Sequence, residues 1–388
     1  MADTYITNSM ILGMMMDVFE NNLKMVPLVY RGYEDEYNGS PKKGSSFKIK
    51  NPWLFEVQDG PVIDVVDLTE TTIDMTVTDH KVIPFTIMET DRMWNVDRFK
   101  EHYLEDAMIK LANEADMALC NLYADVSNFV GTAGSAPAAF SNFGDAAARL
   151  DLMSTPPARS LVCDPIGAWS MAGVLGGLNN DALVKKSIET GKITDIAGLG
   201  SLYSSQNIAK HTAGTGASYQ SDHATAQTGS TIHIDTGTGT FLTGDIVTFA
   251  GCNAINPVNY QDAGHLRPFA VTADFAGDGD GDLSVSPAVV ATGPTKNVTN
   301  AIANNQAVTL VASHTANLAF HQKAFAFVCV KNSELPETAT VKEKITSNGL
   351  TMTLTAGFDI VNYKQTFRLD MVYGVKTIRG DWATRILG

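Results

Sequence analysis

Charge, cysteine and long apolar runs are all scarce in this chain, and each shortage excludes something. Charged residues are 18% of 388 and hydrophobic residues 44%, a balance that belongs to a globular chain able to bury a sizeable core. What charge there is leans acidic, to a net −14, which disfavours non-specific adhesion to nucleic acid or anionic membrane and suits a basic partner. The four cysteines, Cys120, Cys163, Cys252 and Cys329, lie far apart with no CxxC spacing. That excludes a zinc framework or a disulfide scaffold and leaves them as small apolar residues of a reducing compartment. The apolar run from Met10 to Met16 has no basic stretch before it and ends at Asp17, so it is no signal peptide. Nothing approaches the roughly 18 apolar residues of a membrane span. The chain is expected to be made, and to stay, on the cytosolic side.

Catalytic motifs are missing too. There is no phosphate loop, no G-x-S-x-G elbow and no H-E-x-x-H. Gly198-Leu199-Gly200 lacks a third glycine, and the eight histidines show no ligand spacing. Neither enzyme nor cofactor is expected.

What the chain does have is long-range pattern. From Asn95 to Val126, the residues Leu104, Met108, Leu111, Ala115, Leu119, Leu122 and Val126 recur at spacings of three or four, one apolar stripe along a helix. Asp97, Glu105, Asp106, Lys110, Glu114 and Asp116 fall mostly off it. About thirty residues at ~1.5 Å each give a rod of roughly 45 Å, against a mean helix of about 11–12 residues. Such a rod is expected to be a spine on which sheets lean.

Composition divides the rest. Residues 1–33 hold a Met-rich amphipathic helix, about Ser9 to Lys24, stopped before Pro27 and read as an arm that docks. Residues 34–80 form a polar excursion with strand runs Ser46–Ile49, Val62–Val66 and Thr71–Val77, extended and antiparallel. Residues 81–130 join a strand, Val82 to Met88, to the spine. Residues 131–210 alternate short helices (Asn142–Leu152, Asp164–Ala172, Asp181–Thr190) with a strand at Arg159–Cys163, an α/β piece. Residues 211–315 lose helical period and become short strands between turns, expected to be a small inserted β-barrel or sandwich. Residues 316–388 return as strands (Asn317–Val330, Leu350–Leu354, Phe358–Ile360, Arg368–Val375 and Thr384–Leu387) that complete the interrupted domain. The fold class is therefore α+β. Asp278, Asp280 and Asp282 have the 1, 3, 5 spacing of a calcium loop, but Leu283 stands where its glycine belongs and Val289 where its glutamate does. A glycine-rich hairpin turn is the simpler reading.

The blocks Gly244–Val258, Phe269–Asp274 and Ser286–Val290, then Asn317–Val328 and Arg368–Lys376, stand in an order that resembles the coat-protein family typified by the short-tailed Salmonella phage. The resemblance implies the Hong Kong 97-type capsid fold, with N-terminal arm, extended loop, peripheral domain on the spine helix, and an axial domain split by an inserted barrel. It implies a virion protein that self-assembles as pentamers and hexamers of an icosahedral head around double-stranded DNA, with a scaffolding protein and a portal protein as partners. Arm and extended loop would lie across neighbouring subunits. The barrel would touch other capsomers through a loop at about Gly214–Thr228, with Asp222 and His223 as its polar handles. Asp17 and Glu20 on the arm are the expected dock for a basic scaffold segment, and Lys42 and Lys43 are contact candidates on the extended loop. A fibre or decoration protein, or a hydrolase with an accessory β module, would instead show repeats or a convergent polar pocket.

Overall fold

The computed structural model describes residues 8–33, 46–50, 60, 72–88, 105–137, 139–176, 198–277, 279–330, 341–347, 350–361 and 364–388. The N-terminal part of the expected spine (95–104), the run 62–66, the helix 181–190, and Lys42, Lys43 and Asp278 lie outside these residues. No helix among the described residues is long and apolar enough to cross a membrane.

In chain order the described elements begin with helix α1 (Asn8–Asn22), strands β1 (Ser46–Lys50), β2 (Thr72–Thr76) and β3 (Asp79–Met88), helix α2 (Glu105–Cys120) and strand β4 (Phe129–Val130). Helix α3 (Phe140–Leu152), β5 (Arg159–Cys163), α4 (Pro165–Gly176), β6 (Leu202–Ser204) and β7 (Lys210–His211) follow. Then come β8 (Gln220–Ser221), β9 (Gly229–Asp235), β10 (Ile246–Ile255), β11 (Asp262–Val271), β12 (Gly281–Val289) and β13 (Val308–Leu310). The chain closes with β14 (His314–His321), β15 (Phe325–Val330), β16 (Val341–Ser347), β17 (Leu350–Asp359), β18 (Lys364–Thr377) and β19 (Ala383–Leu387). The described residues fall into two compact units, those within 1–50, 72–119 and 325–376, and those within 51–71, 120–324 and 377–388.

The first unit is built on β18. Its fourteen residues pair with β17 and β3 and neighbour β15, and β16 extends the sheet beyond β17. Phe367, Leu369, Met371 and Tyr373 of β18 are buried, with Phe327 stacked on Tyr373 and Phe85 on Phe367. Helix α2 buries Met108, Leu111, Ala112, Ala115 and Leu119, as the stripe requires. The helix tightens into a 3-10 turn at Asn121–Asp125 and stops at Val126, the expected end. Asp116 departs from expectation. It lies on the buried face and accepts from the backbone amides of Lys24 (2.7 Å), Met25 (3.0 Å) and Val26 (3.2 Å). Those amides open the 3-10 turn Val26–Leu28, whose first N–H groups have no partner within the turn. Burial pushes the Asp116 carboxyl pKa up, and the three amides pull it back. Glu114, off the stripe as expected, holds Lys81 of β3 at 2.7 Å.

The N-terminal helix docks locally. Its stripe of Leu12, Met15, Met16 and Phe19 is buried within its own unit, and Tyr30 bridges Ala326 with bonds to Phe325 and Phe327. A Met-rich face with a local apolar partner has no need of a distant one. Strands β1 and β2 pair antiparallel from Ser46↔Thr76 to Lys50↔Thr72, the base of the expected excursion.

The second unit contains two sheets. One runs β4-β19-β14-β5-β6, with β7 against the first residues of β14. Helix α3 lies on it through Phe143, Ala146, Ala147 and Leu150, spaced to share one face. Asp164 caps α4 by accepting from Gly167. The other sheet, between β7 and β14 in sequence, runs β13-β10-β11-β12-β9-β8. Its edges meet, since Ser221 and Val308 donate to Gln306 and Tyr219 at 2.9 Å and Gln220 bridges Ala307. Inside lie Tyr219, Phe241, Phe249, Phe269 and a ring of Ile, Val and Leu. A Cβ on Gly237 would stand 2.1 Å from the Tyr219 ring, so only glycine lets the chain pass there.

Two strand boundaries differ from expectation. Leu350–Leu354 and Phe358–Asp359 belong to one strand, β17, in which Gly357 pairs with Thr366 without breaking the ladder, and Ile360 lies in the turn after it. The run Asn317–Val330 is two strands in different sheets, separated by a 3-10 turn at Gln322–Ala324. Asp116→Ala is expected to leave three amides without their acceptor and to lower unfolding free energy by about 3 kcal/mol, read by urea denaturation. An unchanged midpoint would contradict the role given to Asp116.

Candidate assembly surfaces

Three groups of side chains bear on what this molecule does: those that fix the 211–315 segment to its sheet, those on the exposed rim of that segment, and exposed apolar residues elsewhere.

The fixing group centres on Arg385 of β19, which is fully buried. Its Nε donates to the Val126 carbonyl at 2.8 Å, Nη1 to Gly244 at 2.9 Å and Nη2 to Ala124 at 3.2 Å. The guanidinium lies 5.0 Å over the Tyr123 ring. Burial pulls its pKa down to about 9, with Tyr123 and Asp245 pulling it back, so it stays charged at neutral pH. Asp245, also fully buried, accepts from Gly214 and Leu242 and from His211 Nε2 at 2.7 Å. His211 Nδ1 lies 3.1 Å from the Tyr123 hydroxyl. A carboxylate–imidazole–hydroxyl chain has the order of a hydrolase relay, but here the hydroxyl is a tyrosine packed beneath a cation. A second tie is Arg267 of β11, buried and paired with Asp381 at 2.5 Å.

The rim holds two of the six expected contact residues, Asp222 and His223. The stretch Gly214–Thr228 is not a free loop. Ala217 bridges Thr238, β8 pairs with β9, and Gln227 bridges Ile302, so the segment is laced to the sheet. Asp222 is half-buried, and residues 223–226 are exposed. His223 Nδ1 turns back onto Thr225, 3.0 Å from its hydroxyl. Asp280 and Asp282 grip one histidine, with His233 Nε2 3.0 Å from Asp280 and Nδ1 2.9 Å from Asp282. The hydrogen bond to Asp282, with Asp280 and Asp222 nearby, holds the His233 pKa above its ordinary value. Gly277, Gly279 and Gly281 around them all have positive φ, which is turn geometry. A cleft of about 310 Å³ opens here, lined by His223, Thr225, Gln227, Thr231, His233 and Asp282.

On the arm, Asp17 is exposed and Glu20 half-buried. Two apolar patches were not foreseen. Phe358, Ile360 and Val361, at the β17–β18 turn, are 50%, 83% and 91% exposed. Ile166 and Trp169, three apart on α4, are also exposed. Composition shows that such residues exist but not which face of an element they take; large apolar side chains in a turn were the available signal. All four cysteines are buried and free, with burial pushing the Cys252 thiol up to about 11.

Side chains that clamp backbone to backbone around a two-part β core, with apolar patches left outside, define a structural protein built to be packed against. The chain belongs to the P22 coat protein family, since the family model described as "P22 coat protein - gene protein 5" matches residues 2–384. It is a structural major capsid protein of a tailed phage, forming an icosahedral shell in the virion, and not an enzyme. No curated protein matches it in sequence. Among solved structures it is similar to one titled "Mycobacterium phage Che8", at 14% identity over 94% of this chain and 90% of that chain, with a TM-score of 0.50. Further similar structures are the capsid of cyanophage P-SCSP1u (14% identity, 90% and 84% covered, TM-score 0.43) and a virus-like particle from Pyrococcus furiosus (9% identity, 96% of each chain, TM-score 0.40).

Two outcomes are expected. Arg385→Met removes three donors from buried carbonyls and should cost about 3–5 kcal/mol, measured by chemical denaturation; a loss under about 1 kcal/mol would contradict the clamp. The raised His233 pKa adds stability that is complete below the ordinary imidazole value and fades as pH rises through the folded value. NMR titration should place the His233 midpoint above that of a free imidazole and lower it in Asp282→Asn. An equal midpoint in both proteins would refute the grip.

Proposed function

We propose that this coat protein uses the Hong Kong 97-type fold with residues 211–315 as an inserted β-barrel domain. The observation that carries the reading is the closed six-stranded sheet, lodged in sequence between two strands, β7 and β14, that pair with each other. A domain hung from adjacent strands leaves the sheet that carries it intact, so capsid core and added module fold without rearranging one another. In this reading 1–33 is the arm, 34–80 the extended loop, 81–130 the peripheral domain on the spine, and 131–210 with 316–388 the axial and peripheral remainder.

The copies form pentamers and hexamers around packaged double-stranded DNA, with scaffolding and portal proteins as assembly partners. With its stripe buried, the arm offers partners its outer face, and Asp17 and Glu20 there dock a basic scaffold segment. Lys42 and Lys43 belong to the extended loop that reaches neighbouring subunits. The inserted domain meets other capsomers with residues 222–226. The apolar patches at Ile360–Val361 and Ile166–Trp169 bury against neighbouring copies, because a shell removes most of such surface from water.

Negative-stain microscopy of the protein expressed alone and with its scaffold tests this. Closed shells of one or a few diameters are expected, and a stable monomer under both conditions would count against it. Asp17→Lys with Glu20→Lys should abolish scaffold-dependent assembly without unfolding the protein, and unimpaired assembly of that variant would remove the arm as the dock.

A further inference from the structure

The inserted segment hangs on two crossings of the backbone, and both carry a histidine. His211 of β7 stands opposite His314 of β14, with ring centroids 5.3 Å apart. Both are buried. His211 is engaged at both nitrogens, by Asp245 and Tyr123. His314 is engaged at one. Its Nδ1 lies 2.8 Å from the Ala312 carbonyl and so carries the proton. Its Nε2 is buried and meets no acceptor among the described residues.

The charged and titratable groups acting on this ring come from three elements: Arg385 from β19, His211 from β7 and Asp245 from the turn before β10; Tyr123, from the turn after α2, stands behind them against His211 and Arg385. Asp245, the one carboxylate among them, is already occupied by His211 and by the amides of Gly214 and Leu242. A second proton on His314 would therefore create a buried imidazolium beside a guanidinium, with nothing to receive its N–H. An unpaired buried charge of this kind is relieved by opening the structure to water.

We infer that His314 is an acid-operated latch, whose protonation opens the β7–β14 pairing and loosens residues 211–315 from the sheet that carries them. Burial, chiefly, with Arg385 and His211 behind it, holds the ring's pKa down to about 4, against the pull of Ala312 and Asp245. In the opened state the ring titrates at its ordinary value of about 6.5. Above that pH both states are neutral and the latch is indifferent. Between it and about 4 the opened state binds the proton first, so opening gains up to about tenfold per pH unit. Below that range the gain levels off.

The test uses the full-length protein with 13C-labelled histidine. The ring signal lost in His314→Gln should titrate near 4 in the wild type. Proteinase K cleavage within residues 209–216 and 311–316 should accelerate as pH falls from neutrality to about 4.5, toward tenfold per unit. In His314→Gln, which keeps a donor for Ala312 and cannot charge, cleavage should be flat after correction for the protease's own pH profile. His314→Asn gives the same comparison if the glutamine variant does not fold. A His314 midpoint at or above the free-imidazole value, or equal acid sensitivity in wild type and variant, would overturn the latch.

Discussion

One buried guanidinium holds the second unit to its shape. Arg385 sits in the last strand, yet its three nitrogens reach the end of the spine segment at Ala124 and Val126 and, within residues 211–315, the turn before β10 at Gly244. A charge without water is costly unless its hydrogen-bonding capacity is met. Here it is met by carbonyls of backbone stretches that make no ladder with each other. Removing the cation would leave those carbonyls buried without a donor, so the penalty of breaking the arrangement falls on every stretch at once. Lysine could not substitute, since an ammonium lacks the planar fork that addresses separated acceptors.

The first unit solves a similar problem with the opposite sign. Asp116 receives three successive amides of a turn that no strand pairs with. In both units a charged side chain in the core acts as a substitute for secondary structure, fixing irregular backbone that hydrophobic burial alone would leave unspecified. Burial is non-directional; these bonds are not. Directional ties at the end of the spine and before β10 fix backbone that ladders leave irregular.

Periodicity made much of this legible beforehand. The stripe through Met108, Leu111, Ala115 and Leu119, the loss of helical period after His211, and the return of strands after Thr315 all correspond to what folds. Asp116 and Arg385 were not legible, because period assigns a face and not a partner, and an acidic residue near a stripe is ordinarily placed outside it. The lacing of Gly214–Thr228 was hidden for a related reason. Its strands are two residues or single bridges, too short for alternation to register. The apolar turn at Ile360–Val361 could be seen in composition, but its exposure depends on a hairpin whose two strands the sequence had divided differently. The family relation supplied what spacing could not, a reason for exposed apolar turns in a protein whose copies pack together.

The central structural claim is that residues 211–315 and the sheet of β14 and β19 are one cooperative body joined at Arg385. Hydrogen exchange of the full-length protein under native conditions, read by mass spectrometry, tests it most directly. Peptides from β10–β12 and from β14 and β19 should open together in the wild type and separate in Arg385→Met, with the inserted segment keeping its own protection. Independent opening in the wild type, or identical coupling in the variant, would contradict the claim.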